Sequence, residues 1–116
     1  MATLTTQAIS RAGITPTYGS AAGGGDACEV GDDVFLHYKN TNAAVRNVTL
    51  AIPSGASTYP GVVYTNTTVQ IPATTGDKMI GPIAAGLYKD PTTGLCTITY
   101  DAVTNLTVGV FKLQAP

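Results

Sequence analysis

Val34-Phe35-Leu36-His37-Tyr38-Lys39-Asn40 is the densest run of large apolar side chains in the chain, and its reading decides the fold. β-Branched and aromatic side chains suit a pleated, half-buried surface, so the run reads as a strand with both faces at least partly covered. Gly31-Asp32-Asp33 before it and Asn40-Thr41-Asn42 after it are turn formers, and they fix its ends. The other apolar segments then read as its partners.

Downstream, the same signals repeat. Residues 45–52 alternate, with Val48, Leu50 and Ile52 on one face and Asn47, Thr49 and Ala51 on the other. Pro53 ends this run, because proline has no N–H for a sheet ladder. Residues 54–61 read as a loop, and Val62, Val63 and Tyr64 as a short edge segment. Thr67–Ile71 alternates again and stops at Pro72. Residues 77–83 read as a strand broken at Gly81-Pro82, and residues 84–90 as a further extended piece carrying Leu87 and Tyr88. Asp90-Pro91-Thr92-Thr93-Gly94 is a turn: Asp and Pro start it, and Gly supplies positive φ. Residues 95–100 and Leu106–Leu113 are the last two strands. In the final one Leu106, Val108, Val110 and Lys112 share a face, while Thr107, Gly109, Phe111 and Leu113 share the other.

Upstream, a brief extended piece is expected over residues 26–30. Residues 1–25 differ from the rest. Leu4, Ile9 and Ile14 are isolated apolar residues with Arg11 among them, and Gly23-Gly24-Gly25 closes the segment. Thr and Ile are weak helix formers and Gly13 would stop a helix, so an extended arm is expected. Such an arm packs as an edge strand on its own domain or reaches a neighbour.

The pattern predicts an all-β chain: a single-domain antiparallel β-sandwich or small barrel of about seven to eight strands. The N-terminal arm covers residues 1–25 and the β-sandwich domain residues 26–116. A parallel α/β fold lacks its crossover helices here. The length of 116 residues fits one domain. Only 11% of residues are charged, against about 25% in an average soluble protein. The surface must therefore be built from Thr, Asn, Ser, Gly and backbone, which suits a component of an assembly.

The 6 basic residues are scattered singly, which argues against nucleic acid. No apolar run is long enough to span a membrane. The first residues carry no basic and apolar signal pattern, so synthesis in a cytoplasm is expected. In that reducing compartment Cys28 and Cys96 are expected as buried free thiols, with one bridge between them as the alternative.

Several pieces in order carry a resemblance. They are Leu4-Thr5-Thr6-Gln7-Ala8-Ile9, Arg11-Ala12-Gly13-Ile14-Thr15-Pro16-Thr17-Tyr18, residues 31–40, Val48-Thr49-Leu50-Ala51-Ile52-Pro53, Met79-Ile80-Gly81-Pro82, and residues 90–94 followed by Thr97-Ile98-Thr99-Tyr100. Together they resemble small β-rich proteins encoded beside the major capsid gene of tailed bacteriophages, particularly phages of actinobacteria. The resemblance implies a capsid decoration or minor head protein. Such a protein is made in the bacterial host and sits on the outer surface of the virion head. The implied partners are the major capsid protein and the chain itself, as a homotrimer. No cofactor, nucleic acid or membrane is implied. The contact residues expected in the arm are Leu4, Ile9, Arg11, Ile14 and Tyr18. A head–tail connector or tail component, and a carbohydrate-binding β-sandwich module, are the alternatives.

Enzymatic chemistry finds little footing in the residues. His37 is the only histidine and lies within a strand, and no Gly-x-Ser-x-Gly elbow accompanies it, so a structural role is expected. Cys28, His37 and Cys96 lack zinc-knuckle spacing. Asp26, Glu29, Asp32 and Asp33 cluster without EF-hand spacing and read as a solvated turn. The glycines 23–25 lack the lysine and helix of a phosphate loop. Tyr18, Tyr38, Tyr59, Tyr64, Tyr88 and Tyr100 are spread along the chain, which favours core or interface roles over a sugar platform.

Overall fold

The computed structural model describes residues 2–53 and 65–114. The loop expected over residues 54–61, the segment at Val62, Val63 and Tyr64, and Tyr59 lie outside the described residues. The elements in order are β1 (Ala2–Thr3), β2 (Thr6–Ile9), β3 (Gly19–Ser20), β4 (Asp26–Cys28), β5 (Val34–Asn40) and β6 (Arg46–Leu50). Then follow β7 (Thr67–Ile71), β8 (Gly76–Ile80), α1 (Ala85–Tyr88), β9 (Cys96–Tyr100) and β10 (Leu106–Leu113).

The strands form a two-sheet sandwich. The first sheet runs β1-β4-β9-β6-β7 and the second β2-β10-β5-β8, with β3 also on β10. Strands β5, β7 and β10 coincide with the runs that alternation predicts. Side chains alternate as expected: β5 buries Val34, Leu36 and Tyr38, and β10 buries Leu106, Val108 and Val110. Val48, Leu50, Ile71 and Ile98 pack in the same core from the first sheet. Each such side chain stabilises the fold by roughly 1.5–3 kcal/mol relative to exposure.

Two expectations need correction. Antiparallel pairing does not hold throughout: β1 runs parallel to β4, and β2 parallel to β10. A parallel pair needs a long crossover, and the body of the domain supplies it between β2 and β10. Residues 84–90 are not extended. Ala85–Tyr88 forms one helical turn in which the Tyr88 N–H donates to the Ala84 carbonyl at 3.0 Å. Ala85-Gly86-Leu87 contains no β-branched residue to resist it.

Of the two courses expected for the arm, the structure shows packing on its own domain. The Leu4 N–H donates to the Ala27 carbonyl at 2.8 Å. Strand β2 pairs from Thr6 with Val110 to Ile9 with Leu113, and β3 pairs Ser20 with Thr107. The arm therefore takes the intramolecular course and closes an edge of each sheet.

Two buried polar groups join the layers. Asn40 is fully buried, and its amide donates to the carbonyls of Ala44 and Pro72, both at 3.0 Å. This pins the turn after β5 to the corner between β7 and β8. At that corner a Cβ on Gly76 would lie 1.9 Å from the Pro72 carbonyl oxygen, so only glycine fits.

The second group is a chain of hydroxyls. Tyr100 on β9 donates to the Asp26 carboxylate at 2.6 Å. Its proton is thereby committed, so Tyr38 on β5 donates to the Tyr100 oxygen at 2.9 Å. The chain crosses the sandwich and ends on fully buried Asp26, which also accepts from the Ala22 N–H at 3.2 Å.

Burial pushes both phenols above their ordinary value of 10.0. They stay protonated in the fold while the unfolded chain ionises, so this stability is whole below pH 10.0 and is lost as pH rises beyond it. Tyr100→Phe should cost about 1–3 kcal/mol in urea denaturation at neutral pH. It should also flatten the alkaline loss of stability; an unchanged midpoint and an unchanged alkaline slope would contradict the network. Deleting residues 2–20 should strip both sheet edges and lower Tm by more than about 10 °C in a circular dichroism melt. A truncated chain that melts like the intact one would show the arm to be dispensable.

Candidate functional site

Apolar residues also fall on the outer face of the second sheet. Strand β5 turns Phe35, His37 and Lys39 outward, opposite Phe111, Gly109 and Thr107 of β10. Strand β8 adds Asp77 and Met79, and β2 adds Gln7 and Ile9. Phe35 and Phe111 stack with ring centroids 5.7 Å apart.

The chain after β2 folds back over this face. A turn closes where the Gly13 N–H donates to the Ser10 carbonyl at 2.9 Å, with Gly13 at φ 84°. The Gln7 carboxamide then pairs with the backbone of Thr17 twice: its NH2 donates to the Thr17 carbonyl and its oxygen accepts the Thr17 N–H, both at 2.9 Å. This copies a strand-to-strand pair with a side chain. Gly109 makes the crossing feasible, since a Cβ there would lie 3.0 Å from the Thr17 carbonyl oxygen and 2.8 Å from the Phe111 ring.

Tyr18 is thereby laid over the sheet. Its ring sits 5.8 Å from that of Phe111, and the Lys39 ammonium lies 4.3 Å from its centroid. Its hydroxyl meets His37 Nδ1 at 2.6 Å, and His37 Nε2 bonds the Asp77 carboxylate. A carboxylate only accepts, so Nε2 carries the proton; a neutral ring then leaves Nδ1 to accept the Tyr18 O–H. The order is carboxylate, imidazole, hydroxyl. It ties the arm to the edge strand β8 across the nearly buried His37.

Beside this array lies a groove with two adjoining basins. The first, of about 370 Å³, is walled by Ile9, Ile14, Pro16, Phe35, Met79 and Phe111, with Tyr18 and His37 also lining it. The second, of about 390 Å³, shares Phe35 and Met79 and continues to Leu113, Pro82, Asp32 and Asp33. Met79 is 66% exposed, Leu113 60% and Ile14 37%. These large side chains lie together along the same groove.

Of the contact residues expected in the arm, the structure brings Ile9, Ile14 and Tyr18 into the first basin. Arg11 is exposed in the turn beside it. Leu4 packs against the hydrophobic core instead. Sequence reading missed Phe35, Asp77, Met79, Phe111 and Leu113 as parts of a site. Their signal was present: β5 and β10 carry large apolar residues at both parities, and a strand facing solvent on one side would not.

The other clusters do not converge. Cys28 and Cys96 are buried and free, directly opposite each other on β4 and β9 of the first sheet. The neighbouring Cys96 thiol and burial push Cys28 up, while the Cys28 thiol draws Cys96 down. His37 faces outward from the second sheet, away from both. Asp26 is buried under Tyr100, whereas Asp32 and Asp33 rim the groove. Among the described residues no three potential ligands come together around a metal-sized space. No helix among them is long and apolar enough to cross a membrane.

Comparison of the chain with protein-family models, with curated proteins and with solved structures gives no match. The groove therefore has to be read from its own chemistry. It offers wide apolar walls, a hydroxyl oxygen with a free lone pair, and an acidic rim. Gln7→Ala should free the crossing segment and open the first basin. Amide exchange at Thr17 should accelerate while global stability falls by no more than about 1 kcal/mol. Unaltered exchange at Thr17 would mean that the carboxamide does not hold the segment.

Proposed function

We propose that the chain is a capsid decoration protein of a tailed bacteriophage, which docks on the outside of the head shell and stabilises it. The observation that carries this reading is the exposed apolar groove on the outer face of the second sheet. On a surface otherwise poor in charge and rich in Thr and Asn, Met79, Leu113 and Ile14 form one solvent-facing apolar tract. Patches of this kind mark protein contacts. The ordered sequence pieces described above support the same role. Repeated copies on a repeating shell gain avidity, so each contact can be weak. Homotrimer formation belongs to the same proposal.

The role of the arm changes with the structure in hand. Ile9, Ile14 and Tyr18 act as walls of a preformed groove, with no need for an arm that orders on a neighbour. A preformed site avoids the entropy of ordering a free segment on docking.

The test is occupancy on shells. Incubated with purified heads of the phage that encodes it, the chain should bind on the order of hundreds of copies per particle, whereas a neck or tail ring holds about six or twelve. Met79→Asp combined with Leu113→Ser should cut occupancy at least about tenfold while leaving Tm nearly unchanged, because both side chains are exposed. Full occupancy by that variant, or a ring-like copy number, would overturn the reading.

A further inference from the structure

We propose that the groove recognises an extended polypeptide segment of its docking partner, one that places a lysine or arginine two residues from a large apolar side chain. The inference rests on the docking reading above and names the chemistry of the partner.

The two basins lie in line along the outward positions of β5. Asp33 sits in the turn that leads into the strand, where the Val34 N–H donates to the Gly31 carbonyl at 3.3 Å. Phe35 and His37 are successive outward positions of β5, roughly 6.6–7 Å apart. Side chains on one face of an extended ligand recur at the same interval. The basins adjoin through Phe35 and Met79, so neighbouring same-face side chains of a segment laid along β5 reach one basin each.

The basins differ in chemistry. The first is walled by aliphatic and aromatic groups and takes a large apolar side chain. The Tyr18 O–H donates to His37 Nδ1, so its oxygen keeps a lone pair that can accept a backbone N–H from the ligand. The second has an apolar floor, formed by Leu113, Pro82 and Phe35, beneath two exposed carboxylates, Asp32 and Asp33. No lysine or arginine lines either basin among the described residues. A long basic side chain matches that pairing: its methylenes cover the floor while its charge reaches the carboxylates at the rim. An acidic segment would meet like charge there, and a short polar one would leave the floor bare.

The groove is also open along its length, because the basins share Phe35 and Met79. A small apolar molecule would fill one basin and leave the acids unpaired. A chain segment uses both.

The test uses capped, threonine-rich heptapeptides with Leu or Phe at the third position and Arg, Lys, Ala or Glu at the fifth, titrated against the full chain by fluorescence anisotropy. Arg and Lys peptides should bind about tenfold more tightly than Glu peptides, with Ala between them. Added salt should shrink the difference. Asp32→Asn with Asp33→Asn should erase the preference, and Met79→Ser, which removes apolar wall without adding charge, should weaken every peptide. Equal affinity for Arg and Glu peptides, binding of none of them, or association of two copies through this face would overturn the inference.

The two proposals fail separately. If the Asp32→Asn, Asp33→Asn chain still fills shells while the Met79→Asp, Leu113→Ser chain does not, shell docking stands and the basic requirement falls. If basic peptides bind with the stated preference while the chain occupies no shell, the recognition chemistry stands and the virion role falls.

Discussion

The register between β5 and β10 is the constraint on which the rest depends. Seven pairs run from Val34 with Lys112 to Asn40 with Leu106. On the inner face they set Leu36 beside Val110 and Tyr38 beside Val108, within the core. On the outer face they set Phe35 against Phe111 and His37 against Gly109. A slip of one residue would exchange the faces of one strand. A slip of two would keep the faces but pair His37 with Phe111 or Thr107 and close the space above Gly109. That space is where the arm crosses and where Tyr18 reaches His37. One ladder thus fixes both the core and the groove.

The arm illustrates how a segment of low local order comes to fold on its own domain. Its residues are individually weak: isolated Leu4, Ile9 and Ile14 among threonines and glycines offer little local order. What holds them is non-local. Backbone pairing of β2 with β10, the Gln7 carboxamide on Thr17, and the Tyr18 hydroxyl on His37 act at separate points along the segment. Each is worth only about 0.5–1.5 kcal/mol net. Together with the covering of Phe111 they offset the entropy of fixing the chain. Local composition carries no trace of such a sum, which is why the arm's destination could not be read from its own residues.

The body was far more legible. Alternation placed β5, β7 and β10 to the residue, and turn chemistry placed the stop at Pro72 and the turn at residues 90–94, where Gly94 has φ 76°. Those signals are local, and the structure obeys them locally. Three features lay outside those signals. Parallel pairing of β1 and β2 depends on where distant strands lie. The helical turn at Ala85–Tyr88 is only four residues long, too short for an apolar period to mark it as helix. The groove was half legible: large apolar residues at both parities of β5 and β10 announced a covered outer face. Nothing local announced that the cover would be incomplete over Met79 and Leu113. Nor could Tyr18, His37 and Asp77, spread from the arm to β8, be joined without the sheet order.

Polar groups divide their work in a way that bears on how the groove can act. Inside, Asn40 and the Tyr38–Tyr100–Asp26 chain bridge elements whose mutual placement apolar packing alone would leave adjustable. They make the sandwich one rigid body, and the cost of leaving any of them unpaired opposes sliding of one sheet on the other. Outside, the Tyr18–His37–Asp77 chain does the same for the arm and the edge strand, so both walls of the first basin are held by polar bonds beneath an apolar surface. A site built this way has little freedom to reshape itself around different partners. Its selectivity must come from what a partner presents to fixed walls and a fixed acidic rim. With only 11% of residues charged, few competing long-range fields exist on the surface, so the carboxylates of Asp32 and Asp33 weigh more in choosing a ligand than they would on a charge-dense protein.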